Sequence, residues 1–206
     1  MRRATKAVLI VAMAIVVIGA FAFWRLVSRG FSTHEEPSAI EVLAARSMRS
    51  WSVPADLRHA KNPVALDDEV LAEARAHWAD HCATCHGNDG KGKTAIGERL
   101  YPRAPDMTLP ATQELSDGEI FAIIENGVRL TGMPGWGGGT AHSAHESWAL
   151  VHFVRRLPML TAEELEKLEA MNPKSPAEWQ AIQEEREFLS GGAAPPEAQD
   201  SGSHSH

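Results

Sequence analysis

The chain contains one CxxCH motif, formed by Cys82, Cys85 and His86. The sequence has no other cysteine, so both thiols belong to this motif. Two thiols three positions apart can form thioether bonds with the two vinyl groups of one porphyrin, and the next histidine can then bind the iron from one side. The motif therefore predicts one covalently attached haem c, with His86 as an axial ligand of the iron.

Other uses of a cysteine pair fit the sequence less well. A structural zinc site usually needs four protein ligands, and no second cysteine pair is present, although ten histidines leave a zinc site open. A thioredoxin-like redox pair would need a βαβ setting, whereas the flanking sequence indicates helix and glycine-rich loop. A disulfide across two residues closes a very short loop and would stabilise the fold little.

The N-terminal segment, residues 1–27, predicts a transmembrane anchor. Three basic residues within the first six precede an apolar run from Ala7 to Trp24, which is close to the length that crosses a bilayer core as a helix. The positive-inside bias would give a single pass through the inner (cytoplasmic) membrane, with the haem domain in the periplasm. A signal peptide cleaved after a small-x-small pattern ending at Ala22 is the alternative. Either interpretation exports the rest of the chain, which agrees with haem attachment outside the cytoplasm.

Composition divides the remaining chain into four parts. They are a spacer with one predicted helix (28–66), a haem domain (67–160), an acidic helical extension (161–190) and a disordered tail (191–206). Residues 1–29 hold five of the twenty basic residues and no acidic residue, so the remainder has fifteen basic and twenty-seven acidic residues, a net charge of −12. Nucleic-acid binding needs basic surface, so we expect no nucleic-acid partner.

Helical periodicity and capping signals predict an all-α protein, since no segment has a clear strand pattern. Ser116 and Glu119 form a capping-box pattern at the start of a helix that ends near Gly127. In the spacer, apolar residues recur at helical spacing between Pro37 and Pro54. The other helices predicted after the anchor are 67–84, 146–157, 162–171 and 177–189.

Whether the protein supplies a second axial ligand decides between electron transfer and other haem chemistry. A vacant sixth position leaves the iron open to gases or peroxide, whereas a methionine thioether closes it and raises the reduction potential. Met133 is the predicted ligand, because it lies in the loop sequence TGMPGW, where glycine permits close approach and proline stiffens the backbone. Met107 is the main rival, and Met159 and Met171 are the remaining candidates.

From about residue 68 to residue 160 the sequence resembles the class I cytochrome c family, and it looks closest to the membrane-bound or oxidase-associated monohaem cytochromes of bacteria. The segments that carry the resemblance are CATCHG, the glycine-rich loop after it (88–97), the proline-rich strap (101–110), LSDGEIFAIIENGV, TGMPGW and WALVHFVRRL. The resemblance implies an all-α fold in which the first and last helices cross. Many members have a glycine at that crossing, where this chain has Ala74.

The same resemblance implies the roles of the site residues. Cys82 and Cys85 would attach the haem, while His86 and Met133 would be the axial ligands of its iron. A carbonyl of the proline-rich strap, near Pro102 or Pro105, would orient the His86 ring.

The implied function is electron transfer rather than catalysis, as a carrier or as a subunit of a respiratory complex, with redox proteins or complex subunits as partners. A haem enzyme or gas sensor with a labile sixth ligand is one alternative, and an assembly subunit of a membrane redox complex is another. Four basic residues follow the haem motif and form either a solvated loop or a docking rim for an acidic partner: Lys91, Lys93, Arg99 and Arg103.

Overall fold

The computed structural model describes residues 2–29 and 32–190, and within these ranges the protein is helical with no strand, as the sequence predicts. The predicted tail at 191–206 lies outside the described residues. The α-helices are α1 Arg2–Arg29, α2 Ala39–Ser52, α3 Ala55–Arg58, α4 Asp68–His77, α5 Ala83–His86, α6 Pro110–Gln113, α7 Asp117–Asn126, α8 Ala141–Arg156, α9 Ala162–Met171 and α10 Pro176–Leu189. A π-helical turn (Trp78–Cys82) joins α4 to α5, and two 3₁₀ turns occupy Gly97–Arg99 and Leu157–Met159.

Helix α1 is long and apolar enough to cross a membrane. Its candidate span, Thr5–Arg25, has 21 residues and a mean hydropathy of 2.7, and no part of it is buried against the rest of the described protein. By length and composition this helix is either a membrane anchor or a signal segment.

The core lies where α4 crosses α8 and where α7 packs beside them. Ala74 of α4 is 1% exposed, and Leu150 and Phe153 of α8 are equally inaccessible. Ala74 is therefore buried in the core at the position where the resemblance places the helix crossing, where an alanine in place of glycine predicts a slightly wider crossing. Trp148 of α8 stacks on Phe121 of α7, with ring centroids 4.2 Å apart and planes at 11°. These contacts fix the three helices α4, α7 and α8 against one another, and α4 leads directly into the segment with the cysteine motif.

The segment before α4 is fastened to the same core. A β-carbon at Gly118, in α7, would collide with the carbonyl oxygen of Leu57 in α3, so the two helices touch at their backbones. The Asn62 side chain donates a 2.8 Å hydrogen bond to the carbonyl of Trp148, and a ring nitrogen of His152 lies 2.8 Å from the carbonyl of Val64. The chain entering α4 is therefore held by both α7 and α8.

Helices α7 and α8 both begin at a side-chain cap. The sequence predicts the cap of α7 but not that of α8. At α7 the predicted capping box is present, because the Ser116 hydroxyl accepts from the N–H of Glu119 at 3.1 Å and the Glu119 carboxylate accepts from the N–H of Ser116 at 2.9 Å. Helix α8 begins at Ala141, five residues before the predicted start at 146. Its cap is Thr140, whose hydroxyl accepts from the N–H of Ser143 at 3.1 Å.

Helix α9 packs onto the core through Leu168, which is 0% exposed. Its first turn is held by Glu164, whose carboxylate accepts hydrogen bonds at 2.9 and 2.6 Å from the Arg156 guanidinium. Hydrogen bonding from Thr161 and Arg156 lowers the pKa of Glu164 to about 2. In contrast, α10 has no buried residue.

Replacing the buried leucine of α9 should destabilise the whole domain. Leu168→Ala removes a fully buried side chain and should lower the free energy of unfolding by about 2–5 kcal/mol. Met171→Ala, in the same helix but 46% exposed, is the matched control and should cost clearly less. Denaturant unfolding measures both variants, and equal losses would contradict the docking of α9.

Candidate functional site

The cysteine motif lies where one long helix widens and then ends. The five-residue π-helical turn Trp78–Cys82 follows α4, and the N–H of Ala83 donates to the carbonyl of Trp78. Such wide turns are frequent at functional sites, because the extra residue rotates the helix face. The helix then ends after His86 at Gly87, whose φ of +75° favours glycine. Cys82, Cys85 and His86 therefore follow one another on the last turns of a single helical segment, and both thiols are free.

The glycine-rich loop after the motif packs directly on its backbone. The Thr94 hydroxyl lies 2.9 and 3.1 Å from the carbonyl oxygens of Thr84 and Cys85, and it accepts from the N–H of Gly97 at 2.8 Å. A β-carbon at Gly97 would collide with the Cys85 carbonyl oxygen. The N–H of Gly92 also donates to the carbonyl of His86 at 2.7 Å. The last carbonyls of the helix are thus satisfied by the loop rather than by water.

His86 is half-buried, and its buried Nδ1 atom has no hydrogen-bond partner among the described residues. Burial lowers its pKa, so the ring is held in the neutral form that binds metals. Trp78 packs beside it, with ring centroids 6.0 Å apart, and donates from Nε1 to the carbonyl of Gly87 at 3.2 Å. The strap carbonyl expected near Pro102 or Pro105 makes no hydrogen bond with this ring in the described structure. An unpartnered buried nitrogen is rare in a native fold and calls for a ligand or a further donor–acceptor contact.

The two cysteines differ in electrostatic environment. Burial raises the pKa of the Cys82 thiol to about 12, and the neighbouring Cys85 adds to the shift. Cys82 is therefore a neutral thiol at physiological pH, packed against the hydrophobic core. A thiol with a raised pKa has little thiolate, which argues against a reactive redox cysteine.

Met133 lies half-buried in a loop that covers the C-terminal end of α7. The N–H of Trp136 donates to the carbonyl of Ile124 at 2.9 Å, and the N–H of Gly137 donates to the carbonyl of Glu125 at 3.0 Å. These bonds satisfy carbonyls that the end of a helix leaves without intrahelical partners. The methionine loop is therefore held by α7 along its backbone.

Gly127 permits this close approach. It ends α7 with a φ of +66°, and a β-carbon there would lie 2.5 Å from the backbone of Pro134 and Gly135 and 2.7 Å from the Met133 carbonyl oxygen. The carbonyl of Met133 in turn accepts from the N–H of Val128 at 3.1 Å. Any larger residue at position 127 would push the loop away from the helix.

Two contacts join the methionine loop to the rest of the site. The Trp136 ring stacks on His81, with centroids 5.0 Å apart and planes at 27°, and meets His77 edge-on at 6.2 Å. On the other side of the loop, a β-carbon at Gly132 would lie 2.6 Å from the Leu100 side chain. The loop is thereby placed between the helix that carries Cys82 and the strap that follows the motif. Sequence reasoning missed the pairing of Trp136 with His81, because the two residues are 55 positions apart.

The rival methionines lie in other surroundings. Met107 packs against the hydrophobic core, and its backbone N–H donates to the carbonyl of Gly90 at 2.8 Å. Met159 and Met171 are 65% and 46% exposed. Met107 thus has the environment of an adaptable core residue, which is the commonest role of methionine.

The remaining histidines form no metal centre among the described residues, and two members of the basic run pair with carboxylates. Among residues 2–29 and 32–190, no group of three His, Cys, Asp or Glu side chains has an arrangement that could hold a metal ion. His77 lies 3.9 Å from Glu146, yet burial and the adjacent His81 lower its pKa. In the basic run, Lys91 pairs with Asp89 at 3.5 Å and Arg103 with Glu36 at 2.8 Å.

Residues 69–154 match a protein-family model described as cytochrome c oxidase, cbb3-type, subunit III. No curated protein shows a significant match to the chain. The matched segment extends from α4 to α8 and includes Cys82, Cys85, His86 and Met133. The chain therefore contains a class I c-type cytochrome domain of the kind associated with cytochrome oxidase. Such a domain implies haem c and haem-based electron transfer.

The residues present fit that cofactor. The half-buried imidazole of His86 can bind iron from one side, and the two free thiols on adjacent turns can attach the porphyrin. The loop of Met133 offers a soft thioether from a second element.

A side chain at position 97 should disturb the packing of the glycine-rich loop on the helix that carries the cysteines. Gly97→Ala forces the Cys85 carbonyl away and should lower both the thermal stability and the haem content of purified protein. Gly138→Ala is the control, since its nearest atom is the Ser143 hydroxyl oxygen at 3.3 Å. Absorbance per chain and thermal unfolding measure the two effects. Unchanged values for Gly97→Ala would contradict the close backbone packing.

The lowered pKa of His77 predicts a loss of stability in mild acid. The unfolded chain binds this proton more readily than the folded protein, so the stabilisation is complete above the ordinary pKa of 6.5 and is lost as pH falls through the lower folded-state value. His77→Gln should therefore flatten the pH dependence of unfolding below pH 6.5. Urea midpoints measured across this range test the expectation, and an unchanged slope would contradict it.

Proposed function

We propose that the class I c-type cytochrome domain of this chain carries a single covalent haem c with His86 and Met133 as axial ligands and serves as an electron-transfer protein. The haem domain would lie on the periplasmic side of the inner membrane, held by a single-pass anchor at the N-terminus. The protein would act as a carrier or as a subunit of a respiratory complex rather than as an enzyme.

The observation that carries the proposal is the state of His86 beside the two thiols. Its imidazole is half-buried, burial lowers its pKa, and its buried Nδ1 has no partner among the described residues. A structural histidine in a core normally satisfies its buried nitrogens by hydrogen bonds. An iron ligand needs the neutral ring and a fixed orientation, and the packing of Trp78 restricts the ring on one side.

When bound, haem c supplies reversible one-electron exchange between ferrous and ferric iron. Cys82 and Cys85 would fix the porphyrin to the helix end, and the bonds of Gly92 and Thr94 to this segment would keep the helix end from moving between oxidation states. Met133 would exclude water and small ligands from the second face, because its loop is held on α7 by backbone hydrogen bonds. Both axial positions then belong to the protein, which favours outer-sphere transfer.

The membrane and complex assignments have separate support. Helix α1 has the length and hydropathy of an anchor, and the basic residues at its start favour a cytoplasmic N-terminus. The family description names a subunit of a cytochrome oxidase, which supports a partner within a respiratory complex.

Replacing Met133 tests the ligand assignment. Met133→Ala should open the sixth position, so that the ferrous protein binds carbon monoxide readily, and should lower the reduction potential by a sizeable part of the roughly 0.8 V range that axial ligands control. Met107→Leu, a volume-conserving change in the core, is the matched control and should keep the wild-type spectrum and potential.

Optical spectra and redox titration of the full chain measure both variants. If Met133→Ala kept the wild-type spectrum, or if wild-type ferrous protein bound carbon monoxide as readily as the variant, the axial assignment would be wrong. The second result would instead favour a haem enzyme or gas sensor.

A further inference from the structure

Helix α2 has two different sides. Val42 and Arg49 are half-buried and Val53, just after the helix, is 6% exposed, so this side contacts the haem domain. At 100° per residue, four apolar side chains point to the opposite side. They are Ile40, Leu43, Met48 and Trp51, with exposures of 80, 69, 67 and 76%. Within the described ranges, α2 thus presents an apolar face directed away from its own domain.

The position of α2 in the chain brings this face near the membrane. Nine residues, 30–38, separate the end of α1 from the start of α2. Fully extended, a linker of this length reaches about 30 Å at most. An anchor formed by α1 therefore keeps α2 close to the surface through which α1 emerges.

The sequence of α2 suits a lipid headgroup region better than the sequences of α9 and α10 do. Helix α2 contains one glutamate, whereas α9 and α10 each contain four, and its half-buried Arg49 lies on the side toward the haem domain. An anionic bilayer would therefore repel the two acidic helices more strongly than α2. Trp51 adds an aromatic ring of the kind that sits at the level of lipid headgroups.

We propose that the apolar face of α2 docks into the headgroup region of the bilayer beside the anchor. The proposal rests on the anchor assigned above. Docking would orient the haem domain, because the Tyr101 hydroxyl donates to the Glu41 carboxylate at 3.3 Å and Arg103 pairs with Glu36 at 2.8 Å. These contacts join α2 and the residues before it to the strap that follows the cysteine motif. The porphyrin would then face a membrane-embedded partner at a fixed angle rather than swing on a flexible linker.

Site-directed spin labelling of the full haem-loaded chain in vesicles of mixed zwitterionic and anionic lipid tests this docking. One nitroxide is placed at Leu43→Cys, on the apolar face, and one at Ala45→Cys, an exposed position on the other side of the same helix. Both native cysteines are consumed by haem under the proposed function, so each variant carries one label. The ratio of collisions with oxygen to collisions with a water-soluble nickel complex should be several-fold higher at position 43 than at position 45.

Equal ratios at the two positions would overturn the docking, since the apolar face would then be in water. Dipolar broadening at position 43 that grows with protein per vesicle would also overturn it, in favour of a second copy of this chain. Failure of the chain to float with the vesicles would refute the anchor together with the docking. Haem absorbance and flotation of the unlabelled wild-type chain test the proposed haem attachment and the anchor separately, so a chain that floats without haem contradicts only the proposed function.

Discussion

The site depends on close backbone packing at the end of one helical segment. The loop that follows the motif lies so near the helix that Gly97 has no room for a side chain beside the Cys85 carbonyl, and Gly92 and Thr94 satisfy the last carbonyls of the helix. This packing encloses the backbone at His86, and burial lowers the pKa of its half-buried imidazole. The environment of His86 at the cysteine motif therefore depends on the glycine-rich loop as well as on the motif itself.

The second half of the site is built on α7 by the same kind of interaction. Backbone N–H groups of the methionine loop bond to the final carbonyls of α7, and Gly127 allows the two backbones to meet. The stack of Trp136 on His81 then connects this loop to the helix that carries the cysteines. Met133 and His86 are accordingly carried by separate elements, as the proposed ligation of one iron by both residues needs.

Local signals in the sequence predicted the elements whose determinants are local. The capping box of Ser116 and the spacing of CxxCH identify a helix and a cofactor motif within a few residues. The predicted start of α8 is five residues too late. The helix begins with a capping box of Thr140 and Ser143, in which a serine stands at the third position instead of the usual glutamate or glutamine. The π-helical turn before Ala83 and the pairing of Trp136 with His81 depend on tertiary packing, and no periodicity in the sequence encodes them.

The proposed function requires the porphyrin to be attached to this chain through both thiols. Intact-protein mass spectrometry under denaturing conditions, on chain expressed in cells that mature c-type cytochromes, tests this most directly. One haem should remain bound to each chain after unfolding, with neither Cys82 nor Cys85 open to alkylation. A chain of unmodified mass with two alkylated cysteines would contradict covalent haem attachment and the proposed function with it.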